Sequence, residues 1–65
     1  MDIEAYTYKL TPEEGGGFSA SVEELEGCFS QGETADEAMA NIREAALNWI
    51  EATLRQGRPI PLPSK

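Results

Sequence analysis

Histidine is absent from the 65 residues, and cysteine occurs once, as Cys28. Without an imidazole, Ser19 and Ser21 lack the base that usually activates a hydroxyl nucleophile, so ordinary serine hydrolase chemistry is excluded. One cysteine and no histidine exclude a structural zinc site, and one cysteine excludes a disulfide framework. Cys28 has no basic neighbour in sequence to lower its pKa and reads as a buried, inert thiol. No apolar run approaches 18 residues, so no membrane-spanning helix is expected. The lone thiol and the lack of a signal peptide point to the reducing cytoplasm.

Basic residues are also scarce, five against twelve acidic ones, for a net charge of −7. The acids run along the whole chain. Such a surface repels a phosphate backbone and disfavours nucleic-acid binding, whereas a basic partner would be steered toward it. The length allows one domain, residues 1–65, with no room for a second. A chain this short buries only about 60% of its unfolded surface, so self-association is expected to add to its stability.

Gly32 to Gly57 reads as one amphipathic helix, about residues 35–56, with both ends marked. Thr34 and Glu37 form a capping box, in which the Thr34 hydroxyl accepts from the Glu37 N–H and the Glu37 carboxylate reaches back to the Thr34 N–H. Asp36 and Glu37 complement the positive end of the helix dipole, and Arg55 lies near the negative end. Gly57 supplies a left-handed stop, and Pro59 cannot continue a helix. Ala38, Ile42, Ala45, Trp49 and Thr53 share one line at spacings of three and four. Met39, Ala46, Leu47, Ile50 and Leu54 widen the apolar sector to roughly 220°, about twice what a surface helix needs, and Arg43 alone interrupts it. Met39, Leu47, Ile50 and Leu54, with Ile60 and Leu62 of the tail, are therefore the candidate oligomer contacts.

Three strands precede this helix. Residues 3–10 are rich in aromatic and β-branched side chains, with Tyr6, Tyr8 and Leu10 on one face. Thr11 to Gly17 is a proline- and glycine-rich turn. Its three glycines lack the lysine and the helix start that a phosphate cradle needs. Residues 17–22 alternate, with Phe18, Ala20 and Val22 inward. Glu23-Glu24-Leu25-Glu26-Gly27 is an acidic loop anchored by Leu25, and its spacing is not that of a calcium-binding loop. Residues 27–31 form the third strand. After the helix, residues 58–63 alternate with proline, are held extended, and suit only a sheet edge or a groove. The predicted fold is α+β: a three-stranded antiparallel meander, one long helix and an extended tail.

The ordered series Gly16-Gly17-Phe18, Leu25-x-Gly27-Cys28, Gly32-x-Thr34-x-x-Glu37-Ala38, Ala45-x-x-x-Trp49-Ile50 and Gly57-x-Pro59-Ile60-Pro61-x-Pro63 resembles the HicB family of bacterial antitoxins over residues 3–63. That resemblance implies a partial RNase H-like domain, dimeric or tetrameric, which covers the active site of a small basic, mRNA-cleaving HicA-like toxin. Glu23 and Glu26 stand where the family usually has prolines, so a looser and more acidic loop is expected here. Many family members continue into a DNA-binding domain. This chain ends at Lys65, so direct DNA contact is not expected of it.

The leading reading is thus an antitoxin with no catalytic residues and no cofactor or metal, in which Glu23, Glu24 and Glu26 are the candidate toxin contacts. The alternatives are an orphan oligomeric module that binds another protein or a small ligand, and a degenerate metal-dependent nuclease using carboxylates such as Asp2 and Glu4.

Overall fold

A computed structural model describes residues 2–64; Met1 and Lys65 lie outside the described residues. The elements in chain order are a 3-10 turn (Ile3–Ala5), β1 (Tyr8–Pro12), β2 (Phe18–Val22), β3 (Phe29–Gly32) and α1 (Ala35–Arg55). The three strands form an antiparallel meander in the order β1-β2-β3, and the helix follows it, as the sequence predicts.

The first strand is shorter than expected. Residues 3–5 form the 3-10 turn because the Asp2 carboxylate accepts the Glu4 N–H at 3.0 Å, and the Tyr8 hydroxyl donates to the Ile3 carbonyl. Pairing starts only at Tyr8, opposite Val22, with the Glu23 N–H donating to Thr7 O just outside at 2.9 Å. The hairpin between β1 and β2 is closed by the Glu13 N–H donating to Gly17 O at 3.0 Å.

Strand alternation sorts the sheet into two faces. Tyr8, Leu10, Phe18, Ala20 and Val22 lie under α1, and the core comprises Tyr6, Ala20, Val22, Leu25, Cys28, Ala38, Ile42, Ala46 and Ile50. The opposite face carries Lys9, Ser21 and Phe29 in one cross-strand row and Thr11, Ser19 and Gln31 in the next. With one helix on one side only, the molecule measures 39 × 23 × 16 Å.

Gly32 permits the sharp entry into α1. A Cβ built on it would lie 2.5 Å from the Ala38 nitrogen and 2.8 Å from the Glu37 carbonyl carbon, so helix backbone occupies the space a side chain would need. Thr34 caps the helix by accepting from the Glu37 N–H at 3.1 Å. The Glu37 carboxylate reaches one residue further back than the expected Thr34 and accepts from the Glu33 N–H at 2.9 Å. At the other end Gly57 has φ 71°, its N–H donates to Leu54 O, and the Arg58 N–H donates to Thr53 O, which makes a Schellman stop.

The buried line of the helix is rotated from the one the spacing predicts. It comprises Ala38, Ile42, Ala46, Ile50 and Thr53, while Ala45 and Trp49 are half-buried. Trp49 turns to the flank because its indole N–H donates to the Glu26 carbonyl at 2.9 Å, tying the helix to the β2–β3 loop. Arg43, the one interruption in the apolar sector, pairs with Glu4 at 2.9 Å across to the 3-10 turn.

Candidate functional site

The sequence singles out two surfaces, the acidic β2–β3 loop and the apolar excess of the helix and tail. Neither is as the sequence alone depicts it.

The loop is pinned rather than loose. Leu25 is 1% exposed and anchors it in the core, and a chain of turns closes it: Leu25 N–H to Val22 O, Cys28 N–H to Leu25 O, and Val22 N–H to Cys28 O. Gly27 takes φ 80° at the turn into β3. Among the three glutamates, Glu23 and Glu26 are exposed, and Glu24 is not.

Glu24 is a latch. Its carboxylate accepts the Thr7 N–H at 2.9 Å, the Thr7 hydroxyl at 3.1 Å and the Ser64 N–H at 2.8 Å. Desolvation pushes its carboxyl up, but the N–H donors of Ser64, Thr7 and its own backbone, with the Thr7 hydroxyl, outweigh that and hold it at about 2. Close by, the Tyr6 hydroxyl donates to Pro61 O at 2.7 Å, so the tail is fastened twice to the start of the chain. Burial raises the pKa of Tyr6, with the Glu24 charge adding to it. Glu24 is therefore committed to holding the fold, and the free acids of the loop are Glu23 and Glu26.

The apolar excess is likewise smaller than expected. Ile50 is 7% exposed and lies in the protomer's own core, and Met39 and Ile60 pack against that core. The candidates that face solvent are Leu47 at 53%, Leu54 at 60% and Leu62 at 82%. Leu47 and Leu54 are seven residues apart, so they stand on one flank of α1, two turns from each other.

Phe29 is a surface residue that pattern reading passed over. It is 71% exposed on the open face of the sheet. The signal was present in the alternation, because Cys28 and Ser30 take the inward phase and leave Phe29 outward. The carboxylates considered for nuclease chemistry are engaged elsewhere, Asp2 in capping the 3-10 turn and Glu4 in its pair with Arg43. Burial pushes the Cys28 thiol up, which suits an inert core residue. Among the described residues, no helix is long and apolar enough to cross a membrane.

Known proteins resemble this chain over most of its length. A UPF0150 protein of Synechocystis sp. is 43% identical over 56 residues, covering 86% of this chain and 71% of the relative. A UPF0150 protein of Thermoplasma acidophilum is 41% identical over 56 residues, covering 81% of that relative. Antitoxin HicB of Escherichia coli K12 is 36% identical over 59 residues, which are 91% of this chain but 43% of the relative. The family described as "HicB_like antitoxin of bacterial toxin-antitoxin system" matches residues 6–65, and the chain thus belongs to the HicB-like antitoxin family.

Proposed function

We propose that this chain is the antitoxin of a toxin–antitoxin pair. It neutralises a small, basic, mRNA-cleaving HicA-like ribonuclease by binding over its active site and has no catalysis of its own. The family match across residues 6–65 carries this reading, and the net charge of −7 supports it, since a basic ribonuclease is drawn to such a surface. Glu23 and Glu26 are the loop acids free to meet such a partner. Self-association through Leu47 and Leu54, into a dimer or tetramer, would cover the remaining exposed apolar flank.

The test is to look beside this chain's gene for a small basic ribonuclease, co-express and purify the two together, and measure RNA cleavage as the chain is titrated in. Inhibition that is complete near equimolar chain is expected. Undiminished cleavage at a large excess of folded chain refutes the proposal.

A further inference from the structure

The helix covers one face of the sheet, and among the described residues no element of the chain covers the other. That open face has a definite shape. Its middle strand, β2, presents only the small side chains of Ser19 and Ser21, while β1 raises Lys9 and Thr11 on one side and β3 raises Phe29 and Gln31 on the other. The two walls are two strand spacings apart, about 9.5 Å. The wall side chains narrow the clear gap below the diameter of an α-helix, about 10 Å, so an occupying helix rests on the walls above the serines. The two outward rows lie two residues apart along the strands, about 7 Å, which corresponds to a little over one helical turn.

Its ends are acidic. At one end the depression beside Ser21 and Phe29 is bordered by Glu23 and Glu26. At the other, the β1–β2 hairpin carries Glu13 and Glu14. One wall holds the most exposed aromatic residue of the chain, Phe29, and aromatic side chains are the usual anchors of protein interfaces.

From this shape and charge we infer that the open sheet face is the docking trough for a helix of the basic partner. The partner helix lays small or apolar residues against Phe29 and the two serines, and its cations reach the carboxylates at either end. A second copy of this chain is a poor occupant. Its one long helix exposes Asp36, Glu37, Glu44 and Glu51, which would face carboxylates at both ends of the trough. The inference rests on the antitoxin reading and adds to it the surface used. It also moves the energetic centre of binding from the acidic loop to Phe29, leaving the loop acids to steer and align.

The experiment measures the affinity of a basic HicA-like ribonuclease, found by the co-purification above, for four forms: the unaltered chain, Phe29→Ser, Ser21→Tyr and the double variant Leu47→Ser/Leu54→Ser. Phe29 is exposed, so Phe29→Ser is expected to keep the folded circular-dichroism spectrum. Binding should weaken about 10- to 100-fold in Phe29→Ser. It should weaken comparably in Ser21→Tyr, where a ring fills the floor, and stay unchanged in the double leucine variant. Full affinity in both sheet variants overturns the trough while leaving the antitoxin reading intact. So does loss of binding in the leucine variant alone. A Phe29→Ser variant that changes from oligomer to monomer in sedimentation but binds the ribonuclease normally assigns the face to a second copy and overturns the inference. No binding by the unaltered chain removes the antitoxin reading and the trough with it.

Discussion

Replacing Glu24 by Gln isolates the latch that joins the start of the chain, the β2–β3 loop and the tail. The side chain keeps its size but loses its charge and one of its two acceptor oxygens. Held at about 2 instead of the ordinary 4.5, the carboxyl favours the folded state by an upper bound of about 3.5 kcal/mol, at ~1.4 kcal/mol per tenfold change. The carboxylate remains in partial contact with water, and screening reduces this to about 1.5 kcal/mol. For a domain of this size that lowers Tm by about 6–12 °C at neutral pH. The sign of the pH dependence follows from the lowered folded-state value. The stabilisation is complete above the unfolded value near 4.5 and is lost as pH falls through about 2. Thermal unfolding of both proteins at intervals from pH 7 to pH 2 reads this directly, because the other carboxylates titrate in both and cancel in the difference. Amide exchange at Thr7 and Ser64 should be faster in the variant at neutral pH. Equal Tm values at pH 7, or a difference that stays constant from pH 5 to pH 2, would refute the latch.

Gly32→Ala places a methyl 2.5 Å from the Ala38 nitrogen, against backbone that cannot swing away; a loss of about 3 kcal/mol or more is expected and is read from urea midpoints. Arg43→Ala removes an ion pair whose side chains are 42% and 58% exposed, so its urea midpoint should correspond to a loss of under about 0.5 kcal/mol. Leu47→Glu/Leu54→Glu should leave the far-ultraviolet spectrum unchanged and shift sedimentation toward the monomer at micromolar concentration; an unchanged assembly would show that this flank is not its contact.

The helix was legible at both ends because its signals are local. A Thr34 cap, a Glu37 three residues later and a glycine stop at residue 57 act through backbone groups within one turn. The alternating β2 strand was legible for the same reason. The larger misreadings concern contacts between distant residues, and two smaller ones are local: the Glu37 carboxylate takes the Glu33 N–H rather than that of Thr34, and the start of the chain turns instead of extending. Ile3 to Ala5 has strand-like composition, but Asp2 offers the backbone a competing hydrogen bond, and its consequence depends on where β2 ends. Glu24 is indistinguishable by pattern from Glu23 and Glu26, because its donors lie 17 and 40 residues away. The rotation of the buried line from Ala45 and Trp49 toward Ala46 and Ile50 follows from the Trp49 bond to Glu26, which no helical periodicity contains. The acidic loop was therefore found as a segment, but its one fold-bearing member was not separated from the two that face water.

Because one carboxylate holds both Thr7 and Ser64, the stretch that leads into β1 and the tail are fastened side by side. By the same adjacency, a fluorophore carried on the Ser64 side chain would sit beside the acidic loop and would sense a partner arriving there.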